Sequence, residues 1–369
     1  MSQLFFLETK GHSDSLYPFT LMRALADMPL GILTLRQKWN DTFAVSKPVR
    51  TKKRITLASG VLPEEKLCKQ IWSLPTGRSL FTANGSWIAT ADEIKQIPRK
   101  PAANDVIYQH PISQILFPWD LLTHLTQSLQ LDFSILTKGK RISSIPKHVV
   151  GSGKHPVFIE KGAILYACCL NTENGPIYIG KDAVVQEGCL IRGPFALGAS
   201  SVLKMGTKIY GPVAAGEGCL LGGEIKRSLI FPFSNKAHDG YMGDSVIGSW
   251  CNWGAGTSNS NLKNTAGTIR TDVAGKRVVV GQKAGVFMGD HSRTAINTSL
   301  NSGSVFGVSV QLGNEGLSQK RLASFRWMDG KRYRLAEALN HIRNWKSLKG
   351  REISNEEIDR LTRIYKTDK

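Results

Sequence analysis

From Ile179 onward an aliphatic residue recurs at every sixth position, through Val185, Ile191, Leu197, Leu203, Ile209, Ala215 and Leu221. Eight consecutive hits in one chosen register arise by chance about once in a thousand trials in a chain of ordinary hydrophobic content. A second series four residues after each of these (Ala183, Cys189, Phe195, Ser201, Thr207, Val213, Cys219, Ile225) is mostly small or apolar. A helix repeats at 3.6 residues and a strand at 2, so neither alone yields a period of six. A parallel β-helix does. Each coil has three six-residue sides joined by turns, so residues 18 apart stack at roughly 4.8 Å. Neighbouring coils supply one another's backbone hydrogen bonds, and the aliphatics fill a narrow core. The 36 glycines among 369 residues suit corners that require positive φ.

The register breaks after Leu221, resumes two residues out of phase at Ile247 and Trp253, and returns at Val280, Val286, Ile296 and Val308. Breaks of this kind predict loops leaving the stack, the largest over Phe231 to Gly243 (FPFSNKAHDGYMG). Upstream the pattern is mixed α/β: Leu4 to Leu7 and Ile55 to Ala58 read as strands, and Pro118 to Gln130 as an amphipathic helix. Tyr333 to Tyr365 carries two helical patterns broken at Lys349-Gly350, with Ser354 and Glu357 as a capping box. These helices are expected to pack on the outside of the β-helix or on a neighbouring subunit. The chain thus divides into an α/β domain over 1–140, a β-helix over 150–318 and a helical segment over 319–369.

Lys and Arg number 48 against 29 acids, a net charge of +19, which calls for an anionic partner without choosing it. The excess is spread over Arg36 to Arg54 and Gln319 to Lys369, and no nucleic-acid recognition signature accompanies it, so nucleic acid is not expected. The six cysteines show no C-x-x-C and no zinc spacing, so neither a disulfide framework nor a structural metal site is indicated. With no signal-peptide pattern and no apolar run of about 18 residues, a soluble cytoplasmic protein without membrane contact is expected.

Over Gly223 to Leu262 (GEIKRSLIFPFSNKAHDGYMGDSVIGSWCNWGAGTSNSNL) the chain resembles the left-handed β-helix acetyltransferase domain of the bifunctional enzyme that makes UDP-N-acetylglucosamine (GlmU). It resembles the GlmU-like sugar nucleotidyltransferase family of bacteria more closely, through Leu16 to Trp39 and Val286 to Ser309 as well. The hexapeptide repeat is shared by many acyltransferases, whereas the combined H-x-x-Y-x-G-D and N-x-G-A-G-T pattern is far more specific. The resemblance implies that His238 is a general base for a sugar amine attacking a thioester, a task that suits imidazole because it titrates near neutrality. It further implies Glu224 and Lys226 beside a sugar phosphate, and Tyr241, Asn252 and Asn261 hydrogen-bonding the sugar or acyl group. Plainer readings stand beside these: solvated charge for Lys226, packing for Tyr241, coil-stacking asparagines. Asp290, His291 and Ser292 are candidates for an acyl-donor cleft. As adjacent residues they cannot converge into a nucleophilic triad.

Residues 1–150 depart from the nucleotidyltransferase pattern, for they contain no G-x-G-T-R-like phosphate loop and are short for a complete domain of that type. Arg23 remains a candidate phosphate contact. The leading expectation is a trimeric left-handed β-helix transferase that acetylates an amino-sugar phosphate or nucleotide-linked amino sugar from acetyl-CoA. The alternatives are Mg2+-dependent nucleotidyl transfer by the N-terminal domain, and a non-enzymatic scaffold that binds an anionic polymer.

Overall fold

The computed structural model describes residues 3–46, 52–142, 144–273, 275–313 and 316–368. Residues 47–51, within the basic segment Arg36 to Arg54, and Lys369 therefore lie outside the described residues. The fold is mainly β, an N-terminal α/β unit followed by a parallel β-solenoid.

The N-terminal sheet runs in the order Gln3–Leu7, Arg54–Ala58, Trp87–Thr90, Ser79–Thr82, Val106–Tyr108. Its first two strands are those expected, paired in parallel with Leu4 opposite Ile55. The helix Leu35–Val45 starts on a capping box made by Thr34 and Gln37. Lys38 on that helix is fully buried against Asp132 of the helix Leu125–Thr137, and Asp132 also accepts the backbone N–H groups of Ile32 and Leu33. The helix expected from Pro118 is instead two pieces, Asp120–Thr123 and Leu125–Thr137, bent at His124.

Every member of the two periodic series from Ile179 to Ile225 is buried. Ile177 lies beside Phe195 and Phe195 beside Val213, the 18-residue step of a three-sided coil. The next steps are shorter, Val213 to Ser228 and Leu229 to Val246, which accounts for the shift of phase after Leu221. Phe231 to Gly243 is consequently not a projecting loop: Lys236 stacks on Leu221, and Tyr241 on Glu224. The excursion that does leave the stack lies between Asn259 and Val286. It carries an antiparallel hairpin of Ile269–Val273 and Lys276–Gly281.

Past the hairpin the expected register also needs correction. Ile296 is 57% exposed, and Val308 packs on the C-terminal helices instead of the solenoid interior. The inward positions are Met288, Thr294, Leu300, Phe306 and Leu312, accompanied by Ser292, Thr298, Ser304 and Val310. Threonine and serine at these sites hide the periodicity from a hydrophobic count, because their hydroxyls are satisfied within the stack, as Thr298 shows by donating to the Ala295 carbonyl.

One solenoid side points apolar residues outward as well as inward. Phe158, Tyr178, Ala196, Ala214, Leu229, Val246, Phe287 and Val305 form a ladder buried under the N-terminal unit. Phe133 meets Phe158 at 6.5 Å between ring centroids, Phe19 meets Phe231 at 5.5 Å, and Trp119 meets Phe287 at 5.9 Å. The helices Leu335–Ser347 and Asn355–Thr367 pack on the outside of the last coils, around Val308, Phe325 and Tyr333. Ser354 caps the second helix by accepting the Glu357 N–H at 3.2 Å. The expected capping box is only half formed, because the Glu357 carboxylate turns to His291 and Lys346. All six cysteines are free thiols. Among the described residues no helix is long and apolar enough to cross a membrane.

Candidate active site

A second solenoid side presents polar residues to solvent. Glu224 and Lys226 lie on its strand Glu224–Ile230, stacked directly against Tyr241 and Gly243 of the next coil. Asn261 comes two coils up, and its side-chain amide reaches down to donate to the Tyr241 hydroxyl at 3.0 Å and to the Asp244 carboxylate. Four sequence-predicted residues, Glu224, Lys226, Tyr241 and Asn261, are thus brought to one face. Burial raises the pKa of the Tyr241 phenol, and the neighbouring charges of Asp244 and Glu224 add to the rise, so it stays a neutral hydrogen-bonding group.

His238 sits at the corner that leads into the Tyr241 strand, with its side chain exposed. The corner is held from both ends. Gly240 turns it at φ +119°, and a Cβ there would meet the Thr257 carbonyl of the next coil at 2.1 Å, so no other residue fits. Lys236 occupies an inward coil position, where its stem replaces the aliphatic of Leu221 and its ammonium donates to the His238 carbonyl at 2.7 Å. Burial pushes this ammonium down to about 8, with Asp239 opposing the shift.

The face carries residues that sequence reasoning passed over. Asp244, almost fully buried, binds Arg227 as well as Asn261, which anchors two side chains at once. Asn259 clamps Gly243 by accepting its N–H at 2.8 Å and donating to its carbonyl at 3.0 Å. Ser258 accepts the Tyr241 N–H at 3.0 Å. Asp244 was visible as the last letter of H-x-x-Y-x-G-D. Arg227, Ser258 and Asn259 carried no spacing signal, since their partners lie one coil away.

Other expected members lie elsewhere. Asn252 is on the third side, stacked between Asn235 and Arg293, around the corner from Tyr241. Of Asp290, His291 and Ser292, Asp290 lines an open cavity of about 370 Å³ together with Arg23, Ser249 and Arg360, while His291 and Ser292 are buried. Arg23 pairs with the Asp290 carboxylate through both terminal nitrogens, and its guanidinium lies 5.1 Å from the Phe231 ring. Arg23 accordingly clasps the N-terminal unit to the solenoid through Asp290 and also lines that cavity. His291 is buried and meets Glu357 at 3.1 Å. Burial lowers its pKa, more than Glu357 can offset. Ser292 donates to the Gly307 carbonyl at 2.9 Å and accepts from Val310 N–H at 3.0 Å, which ties it to coil stacking.

The N-terminal unit holds a cleft of its own at the carboxyl ends of the parallel strands Gln3–Leu7 and Arg54–Ala58, where open α/β sheets place ligands. Glu8, His12, Gly60 and Arg99 are among its lining residues, around a cavity of about 560 Å³. His12 hydrogen-bonds the Ile115 carbonyl at 2.7 Å, and burial raises the Glu8 carboxyl. Residues 4–141 match the family model described as sugar nucleotidyl transferase. Over 90 residues the chain is 39% identical to the bifunctional sugar-1-phosphate nucleotidylyltransferase/acetyltransferase of Sulfurisphaera tokodaii, which covers 24% of this chain and 22% of that protein. Over 101 residues it is 34% identical to the bifunctional protein GlmU of Methanocaldococcus jannaschii, covering 27% and 25%. Over these stretches the chain is similar to sugar nucleotidyl transferases and to bifunctional GlmU proteins.

The aligned part spans about a quarter of the length of these curated relatives. Among solved structures, the polySia specific acetyltransferase NeuO is similar at 14% identity, with 48% of this chain and 79% of that chain covered and a TM-score of 0.30. So loose a superposition carries no argument, and the solenoid rests on its own strand register.

Proposed function

We propose that this chain is a transferase whose solenoid uses acetyl-CoA to N-acetylate an amino-sugar phosphate or a nucleotide-linked amino sugar. The observation that carries the reading is the single polar face on which Glu224, Lys226, Tyr241 and Asn261 meet beside the exposed His238 corner. Lys226 supplies a countercharge for a phosphate, and Tyr241 and Asn261 supply a fixed donor and acceptor for sugar hydroxyls. His238 accepts a proton from the attacking nitrogen as the C–N bond forms and the thioester C–S bond breaks. The released thiolate then takes up a proton, and no covalent enzyme intermediate is required.

In one chain the His238 corner is open to solvent, so a closed cleft calls for a second surface. The two solenoid sides not covered by the N-terminal unit expose Val150, Ile164, Leu190, Met205 and Tyr210 over the early coils. A homotrimer with a left-handed coil sense, the arrangement the resemblance implies, buries such residues and brings the polar face of one subunit against another. A cytoplasmic location accords with the free thiols.

The match over 4–141 and the cleft at the strand ends favour a second reading, transfer of a nucleotidyl group to a sugar phosphate with release of pyrophosphate. Among the described residues no group of three or more His, Cys, Asp or Glu side chains is placed to hold a metal ion. Mg2+ in this reading would therefore rest largely on substrate phosphates and water.

The test is thiol release from acetyl-CoA with glucosamine 1-phosphate, with product mass confirmed, for the native chain and His238→Ala. Turnover lost in the variant supports the acetyltransferase. Thiol release that persists in the variant overturns the role of His238. No turnover across a panel of amino sugars and acyl donors, together with pyrophosphate release from a nucleoside triphosphate, moves the activity to the N-terminal unit.

A further inference from the structure

The third solenoid side and the C-terminal segment enclose a cavity of about 900 Å³ that the polar face does not share. Its wall includes Arg293 and Gln311, stacked as partners on successive coils. Arg293 is only 8% exposed. Its Nη1 donates to the His291 carbonyl at 2.8 Å, but its Nε and Nη2 have no hydrogen-bond partner, and neither does the Gln311 amide nitrogen. Among the described residues no carboxylate pairs with this guanidinium, and burial, opposed by Cys251 and Tyr333, pushes it down to about 10.

A buried cation that keeps two donors idle costs stability, and native proteins tolerate such a cost where a ligand completes the pairing. A third idle donor, the Gln311 amide one coil above, points to an anion broad enough to bridge adjacent coils. Lys331, exposed at the rim and paired with Asp329 at 2.8 Å, adds a cation free to change partners. The walls are also aromatic. Trp345 lies 5.0 Å from the Arg293 guanidinium and covers it, while Trp327 lines the cavity with 39% of its surface exposed. The volume falls within the range of small-molecule sites.

We propose that this cavity binds a nucleoside diphosphate group. Trp345 shifts to admit its phosphates to the idle N–H groups of Arg293 and Gln311, and the base lies on Trp327. A free nucleotide and the nucleotide end of a larger co-substrate share this chemistry. The inference goes beyond the acetyltransferase reading, because it concerns another side of the solenoid and requires no turnover.

The experiment is titration of the full chain with ADP, UDP, coenzyme A, adenosine and inorganic pyrophosphate, followed by tryptophan fluorescence and calorimetry. At least one of the three nucleotides is expected to perturb the indole emission and to bind at least tenfold more tightly than adenosine or pyrophosphate. Preference for coenzyme A assigns the site to an acyl donor, and preference for ADP or UDP assigns it to a separate nucleotide. Arg293→Met is expected to weaken binding tenfold or more while its melting temperature holds or rises, since an unpaired buried charge is removed. Arg293→Lys, which keeps the charge but loses the planar fork, is the second variant and is expected to show a similar loss. Lys331→Ala is expected to cost two- to threefold. Absence of binding by all three nucleotides at millimolar concentration overturns the proposal. So does unchanged affinity in Arg293→Met or, should that variant fail to fold, in Arg293→Lys. Unchanged affinity in Arg293→Met leaves the His238 reading intact, whereas absence of coenzyme A binding counts against both, and thiol release from acetyl-CoA by the same protein tells the two failures apart.

Discussion

Two sides of the solenoid share one backbone geometry and differ in what they present outward. On the side that includes Ile177–Ile179 and Phe195–Leu197 the outward residues are a ladder from Phe158 to Val305, sealed by the N-terminal unit. On the side that includes Glu224 and Tyr241 the outward residues of the coils from Lys208 and Tyr210 onward are mostly charged or hydroxyl-bearing, and solvent reaches them. The inward residues make the coil on both sides. The outward residue alone decides whether a side becomes an interface or a reactive surface.

If that division holds, substitutions on the polar face alter activity without unfolding the chain, and substitutions on the ladder do the reverse. The largest effect is expected from His238→Ala: a loss of roughly 10² to 10⁴-fold in acetyl transfer, the range of general-base contributions, with an unchanged urea midpoint. A variant that loses activity and stability together would make His238 a structural residue. On the ladder, Phe287→Ala is expected to lower unfolding free energy by about 3–5 kcal/mol in urea titration, because it opens a cavity between the units. A loss below about 1 kcal/mol would mean that the N-terminal unit is only loosely seated.

Asp244→Asn sharpens the polar side. It removes the charge that anchors Arg227 and leaves the fold in place, so KM is expected to rise about tenfold, as for one charged hydrogen bond, with a smaller change in kcat. The clasp at the C-terminal helices gives a pH signature. Burial raises the Glu357 carboxyl, but the hydrogen bonds and charges of His291 and Lys346 more than reverse this and hold it at about 2. A depressed carboxylate stabilises the fold above its unfolded pKa, and that stability disappears as pH falls through the folded value. The loss is therefore expected between about 4.5 and about 2, and Glu357→Gln should flatten the acid limb of urea midpoint against pH. The smallest effect belongs to Lys208→Ala, an exposed position next to Glu224, expected to change stability by less than about 0.5 kcal/mol.

Much of the solenoid was legible from residue types alone. The series from Ile179 to Leu221 located the core because a coil's inward positions recur locally, at a spacing no other element produces. The same count failed at Thr294 and Thr298, where hydroxyls satisfied inside the stack replace aliphatics, and it placed Ile296 inside when it lies outside. It also took Phe231 to Gly243 for an insertion, because shortened coils and inserted loops break a fixed period in the same way. For the site, the H-x-x-Y-x-G-D spacing pointed to His238 and Tyr241, and its last letter, Asp244, was passed over although all three belong to a single coil.

What the sequence by itself determined is the coil: a six-residue period of inward aliphatics, with glycine where backbones of neighbouring coils come close. Tertiary structure decided which side the N-terminal unit would cover and which polar residues would be left free. Arg23 and Asp290 stand 267 residues apart, and His291 meets Glu357 across 66. Such pairs turn candidate site residues into clasps. Their partners are selected by the packing of whole units, and local spacing carries no record of that choice.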